Sequence, residues 1–165
     1  MASRKNPSTE AALSKESAGL LLYRGEPPHV EVLLVHPGGP FWKRRDEGAW
    51  SIPKGEIEQG EAPMDVAQRE FAEELGRPAP GGALAPLGSI RQVGGKVVHA
   101  WAAPGDLDVT RIESSTFSME WPPSSGRMQT FPEVDRAAWF DLGAARRMIL
   151  AAQSTFLDRL EQLLA

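Results

Sequence analysis

The chain has 165 residues, 41% of them apolar and 24% charged, with a formal net charge of −4 and no cysteine. That size and balance suit one globular domain around a single core. They exclude disulfides, thiolate-held metals and thiol catalysis, and the chain lacks the basic excess of a protein that binds a nucleic-acid polymer.

Residues 1–16 are polar, with no apolar periodicity and no signal-peptide core, and read as a loose tail before a single domain over 17–165. No apolar run approaches the roughly 20 residues of a membrane span. The expected setting is therefore the cytoplasm, with no membrane partner. Order begins at Ala18, where AGLLLYR reads as a strand, and VEVLLVH (Val30–His36) is a second, turned at Gly25–Pro28. Pro37–Gly48 is a Gly/Pro-bounded loop carrying Trp42, Lys43, Arg44 and Arg45, and Ala49–Ile52 is a short strand that Pro53 ends.

From Pro63 the pattern turns helical, since proline suits a first turn in which its missing N–H has no partner to lose. Met64, Ala67, Phe71 and Leu75 recur at helical spacing as a buried stripe, and Gly76 with Pro78 stops the helix. Leu87–Gln92 and Lys96–Ala102 form a hairpin turning at Gly94-Gly95. Phe117–Trp121 is a further strand, broken by WPPSSGR. Ala138–Phe140 is another, and Asp141 caps a helical stretch to Leu164 that buries Leu142, Ile149, Phe156, Leu160 and Leu163. Strands mixed with two or three helices predict an α/β fold, a sheet covered by helices as an α/β/α sandwich.

The chemistry lies in GEIEQGEAPMDVAQREFAEELGR, Gly55–Arg77. Spacings of three and four residues put Glu70, Glu73 and Glu74 on one side of the predicted helix, within an arc of about 100°. Like charges so placed repel, and a hard divalent cation with oxygen ligands is the natural compensation; magnesium is held by a few carboxylates plus substrate phosphates. Arg69, one turn before Glu73, can orient a carboxylate through a bidentate bond. A merely solvated acidic face is the alternative for three glutamates taken alone.

The whole segment resembles the Nudix box, G-x5-E-x7-R-E-U-x-E-E-x-G-U with U apolar. Gly55, Glu61, Arg69, Glu70, Phe71, Glu73, Glu74 and Gly76 all fall in place, and Arg77 stands where the last apolar residue is usual. Chance would match the seven fixed positions on the order of once in 10⁸ starts. The lead-in Trp50-Ser51-Ile52-Pro53-Lys54-Gly55 and the segment Phe131–Phe140 are also similar to the family. The resemblance covers roughly residues 18–145 and implies a Nudix-type α/β/α sandwich with a mixed sheet.

By that resemblance Glu70, Glu73 and Glu74 hold magnesium, with manganese as a possible substitute, and a backbone carbonyl of Lys54 or Gly55 joins them. Arg69 orients a ligand, Glu61 braces the loop before the helix, and Gly55 and Gly76 are structural. The base is Glu70 or a glutamate from a later loop. Glu133 is the first candidate there, both as base and as metal ligand, with Glu120 and Asp135 in the same region. Lys54, Arg44, Arg45 and Trp42 are candidates for holding a small-molecule nucleotide, and Trp121 for stacking a base; a solvated loop and ordinary packing are the alternatives. The implied activity is hydrolysis of a diphosphate linkage in a nucleoside diphosphate joined to another group. The WSIPKG lead-in looks like that of dinucleoside polyphosphate hydrolases. Nucleoside triphosphate hydrolysis and a non-catalytic nucleotide sensor are the other readings.

Gly55 and Gly60 have P-loop spacing, but Glu61-Ala62 replaces the required Lys-Ser/Thr. There is no G-x-S-x-G elbow, and His29, His36 and His99 lack metal-ligand spacing. The oligomeric state is not legible.

Overall fold

The computed structural model describes residues 15–80 and 82–165. The expected tail therefore lies almost wholly outside the described residues, and the first strand, β1, runs Glu16–Arg24. β2 follows over Glu31–Pro37 and β3 over Lys54–Glu56; helix α1 spans Pro63–Leu75. β4 (Ala85–Arg91) and β5 (Val97–Pro104) make the expected hairpin. β6 (Thr116–Glu120) and β7 (Met128–Pro132) pair as a separate ribbon, and β8 spans Val134–Asp141. Helices α2 (Leu142–Met148) and α3 (Ser154–Leu164) close the chain.

The main sheet has the order β4-β5-β1-β2-β8, with β3 paired to β1. Only β1 and β5 run parallel, so the sheet is mixed. Alternation along the central strands supplies two apolar faces. Leu20, Leu22, Leu33 and Val35 pack with Phe71 and Leu75 of α1. Leu21, Val32 and Leu34 pack with Met148, Phe156, Leu157 and Leu160 on the other side. The result is the expected α/β/α sandwich. None of the described helices is long and apolar enough to cross a membrane.

A parting of β1 from β2 positions the site. The two strands pair at Tyr23↔Val32 and Arg24↔Glu31. Further along, β1 pairs instead with β3, at Ser17↔Glu56, Ala18↔Gly55 and Gly19↔Lys54, while Val35 of β2 bridges Ser51. The segment 51–56 thus fills the gap between strands and lies beneath α1. The expected strand Ala49–Ile52 is reduced to isolated bridges at Trp50 and Ser51.

Five expectations need correction. Met64 is exposed, because Val66 and Ala67 carry the first buried turn of α1 against Ala18 and Ile57. Leu163 is exposed in the last turn of α3, where Leu164 turns to the core instead. β7 has no counterpart in the sequence reading, since Met128–Pro132 lies on a ribbon with little burial and so carries no inside/outside alternation. β8 is longer than Ala138–Phe140: as an edge strand it pairs along β2 from Val134 onward, and its polar Asp135 and Arg136 mask the period. Asp141 does cap α2, accepting from Ala144 N at 2.8 Å, but the helical stretch breaks at Ile149 and resumes as α3.

Candidate active site

α1 starts at Pro63 and ends at Gly76, whose left-handed backbone (φ 75°) lets its N–H close on Ala72 O at 2.8 Å. Its buried positions come in pairs one turn apart: Val66/Ala67, Glu70/Phe71 and Glu74/Leu75. Burying Phe71 and Leu75 therefore carries Glu70 and Glu74 down with them, towards the inserted 51–56 segment. Gly55 is required there by close approach. A Cβ at this position would collide with the carboxylate of Glu70.

Glu133 reaches the same place by a backbone relay. The last carbonyls of a helix have no intrahelical partner. Here Leu75 O accepts from Glu113 N at 3.2 Å and Glu73 O from Ser115 N at 2.8 Å. Ser115 O in turn accepts from Glu133 N at 2.8 Å, and Glu133 O accepts from Gly38 N at 2.9 Å. Ser114 Oγ accepts from the next amide, Val134 N, at 3.0 Å. Neither Ser114 nor Ser115 is marked in the sequence, because their part is played through a tertiary contact.

Carboxylate oxygens of Glu70, Glu74 and Glu133 lie within 4.8 Å of one another. Of the three later-loop candidates only Glu133 joins this group; Asp135 bonds His36 Nδ1 at 2.7 Å, and Glu120 stands on the exposed β6. Burial, and then the charge of Glu70, pushes the Glu74 carboxyl up to about 8. Burial and then Glu73 raise Glu70 as well, against the pull of Arg69. Glu74 Oε2 is buried with no hydrogen-bond partner among the described residues. Crowded, desolvated carboxylates with an orphaned oxygen fit a hard divalent cation, which supplies the missing positive charge and takes oxygen ligands. Lys54, beside them, is lowered by burial and by Lys96, while Glu74, Glu56 and Glu70 oppose the shift.

Glu73 lies outside this cluster. It pairs with Arg69 at 3.3 Å, and Arg69 also holds Glu61 at 3.1 Å and Glu70 at 3.0 Å. Glu61 Oε1 accepts from Glu58 N at 2.9 Å, which ties the loop before the helix to Arg69.

Lys54, Glu74 and Glu133 line an open cavity of about 470 Å³, together with Trp42, Ile52 and Leu150 among others. A volume of that order suits a nucleotide-sized ligand. Arg45 sits over the Trp42 ring, 5.5 Å from its centroid; neither it nor Arg44 lines the cavity. Trp121 packs edge-on against Phe41, ring centroids 5.3 Å apart, also outside the cavity. His36 is fully buried, bonding Asp135 and Arg45 O.

The family model for the NUDIX domain matches residues 13–160. The chain belongs to the Nudix family. A Myxococcus xanthus protein named octanoyltransferase is 29% identical over 131 residues, which is 78% of this chain and 31% of that protein. An 8-oxo-(d)GTP phosphatase from Mycolicibacterium smegmatis is 29% identical over 153 residues, 86% of this chain and 39% of that protein. The chain thus spans about a third of the length of these curated relatives. Among solved structures, a C. elegans Ap4A hydrolase in a binary complex superposes with a TM-score of 0.63 at 22% identity, over 91% of this chain and 97% of that one. At that identity the likeness is one of fold. It agrees with the mixed sheet and flanking helices described above.

Proposed function

We propose that this Nudix domain hydrolyses a diphosphate linkage in a nucleoside diphosphate joined to another group, with a divalent cation, and that dinucleoside polyphosphates are its first-choice substrates. The observation that carries the reading is the Glu70–Glu74–Glu133 cluster, two of whose members, Glu74 and Glu133, line a nucleotide-sized cavity. Magnesium held by these three carboxylates would offset the charge of the diphosphate and acidify an attacking water. Glu133, exposed and least constrained of the three, is the proposed base that takes the water's proton, with Glu70 the other candidate. Arg69 holds Glu70 in orientation. Lys54 is proposed to meet a phosphate, and Trp42, walling the cavity, to flank the nucleoside. Glu73 joins the ligand set only by leaving Arg69. A cytoplasmic location completes the reading.

A nucleoside triphosphate is the second substrate class. It is favoured by the 8-oxo-(d)GTP phosphatase relative, whose match covers 86% of this chain. A non-catalytic sensor is disfavoured, since such a module has no use for a complete carboxylate set at this cost in repulsion. The test is a screen of dinucleoside polyphosphates, nucleoside triphosphates and nucleotide sugars with magnesium in oxygen-18 water. The expected result is cleavage with label in a phosphate group of one product. Absence of metal-dependent turnover on all three classes, or label on a sugar or base, overturns the reading.

A further inference from the structure

A chain of amide hydrogen bonds runs behind the wall of the cavity. Gln153 is fully buried. Its Oε1 accepts from the backbone N–H of Ile52 at 3.0 Å, which fixes which end of the amide is oxygen. Its Nε2 must then donate, and it does so to Ser51 Oγ at 3.1 Å and to Gln92 Oε1 at 3.0 Å. That bond takes one lone pair of the Gln92 oxygen and turns the oxygen towards Gln153. The NH₂ group at the other end of the Gln92 amide is a donor only, and no hydrogen-bond partner for it occurs among the described residues.

Gln92 lines the same cavity as the carboxylates, in company with Val93, Ile52, Leu150 and Ala151. The backbone beneath it is pinned on both sides. Gln92 N donates to Lys96 O at 2.8 Å and Gln92 O accepts from Gly95 N at 3.0 Å, in a turn that Gly94 and Gly95 close at positive φ. Apart from Ser51 and Gln92 itself, the uncharged lining of the cavity is apolar, and its charged residues are Lys54, Glu74 and Glu133. The apolar lining suits a flat, weakly polar ring, and the charged residues suit the diphosphate.

We propose that Gln92 is a specificity-determining residue whose fixed NH₂ group reads the nucleobase, favouring a 6-oxopurine over a 6-aminopurine, with Gln153 as the positioning residue behind it. A 6-oxopurine presents two adjacent acceptors, O6 and N7, whereas a 6-aminopurine presents a donor at the first of these. Against a 6-aminopurine the NH₂ group keeps only N7 as an acceptor and meets a donor at the 6-position. The inference rests on the proposed function only in seating a nucleotide in this cavity.

The test measures dissociation constants of GDP and ADP with magnesium, together with kcat/KM for the matching dinucleoside tetraphosphates. Wild type is expected to prefer guanine by roughly 5- to 10-fold, the worth of one neutral hydrogen bond. Gln92→Leu should bring the ratio to about 1. Gln92→Glu keeps one oxygen for Gln153 and turns the free donor into an acceptor, so it should reverse the preference towards adenine. Both changes lie on a half-buried hairpin residue and do not depend on the fully buried Gln153 tolerating substitution. Equal affinities in wild type, a preference for adenine, or a guanine preference that survives Gln92→Leu overturns the proposal. A Gln92-dependent guanine preference without turnover would leave this inference standing and sink the hydrolase reading. Turnover without a base preference would do the opposite, and binding of neither nucleotide would sink both.

Discussion

One helix carries two acidic groups of opposite character. On its outer side Glu73 shares Arg69 with Glu61 of the preceding loop, and the Glu73 and Arg69 side chains are 43% and 41% exposed. Both carboxylates bond the Arg69 guanidinium and are screened by water, so the arrangement contributes little to stability. On the inner side Glu70 and Glu74 are each only 9% exposed, face Glu133, and share no cation of their own apart from Arg69 on Glu70 and the nearby Lys54. Residues one position apart, Glu73 and Glu74, thus stand in different surroundings. A carboxylate bonded to arginine suits a bracing role, while a desolvated carboxylate with an orphaned oxygen suits a cation.

The sharpest way to break that contrast is to remove charge from the inner group. Glu74→Gln should lower kcat by roughly 10³-fold, the loss of several kcal/mol of charge stabilisation at the diphosphate. The metal-free variant should nonetheless melt at or above the wild-type temperature, because a buried repulsion has gone. Steady-state kinetics with thermal melts check both halves; near-normal turnover would remove Glu74 from the metal set. Glu133→Gln should cost roughly 10² in kcat with little change in KM if the residue takes the water's proton. If it serves mainly as a ligand, added magnesium should recover much of the loss. A variant matching wild type in rate and in metal dependence would make Glu133 a bystander.

Much of this site was legible in the chain, and the part that was not has a physical reason. The 3.6-residue period put the glutamates on one side of a helix running from Pro63 to Leu75. It could not resolve the side further, since a 100° arc spans both the sheet-facing edge and the solvent-facing edge of a packed helix. Which carboxylate turned inward was decided by Phe71 and Leu75 against Leu20 and Leu22, a tertiary contact. Glu133 was legible as a candidate beside Glu120 and Asp135. The Ser115 relay that distinguishes it joins residues far apart in sequence. The Gln153–Gln92 bond, 61 residues apart, left no local pattern at all.

The outer group gives smaller effects, and these sharpen the comparison. Glu73→Gln leaves the inner three carboxylates in place and frees Arg69 to concentrate on Glu61 and Glu70. A loss of roughly 10-fold in activity is expected, the lower range for a group that orients ligands without being one. A loss as large as that of Glu74→Gln would mean that Glu73 leaves Arg69 and binds metal directly during turnover. The comparison is best made by titrating magnesium against both variants, because only a lost ligand shifts the metal dependence strongly.

The last expected effect concerns stability against pH without metal. The Glu74 carboxyl stands at about 8 in the folded protein against 4.5 as its ordinary value. Between those values the folded state keeps a proton that the unfolded chain has released, so stability falls as pH rises through the interval. The loss is complete only above about 8, where the folded carboxylate is ionised too. Metal-free protein should therefore melt at a higher temperature near pH 5 than near pH 8, and each kcal/mol lost corresponds to about 2–4 °C for a domain of this size. Saturating magnesium should flatten the slope, because binding the ionised carboxylates stabilises the folded state increasingly as pH rises. Other groups also titrate in this window, and the difference between wild type and Glu74→Gln isolates the one in question. The variant has no carboxyl at this position, so its melting temperature should depend less on pH by that amount. If wild type and variant keep parallel profiles from pH 5 to 8, Glu74 ionises in the folded protein at no cost, and the inner group needs no cation to balance it.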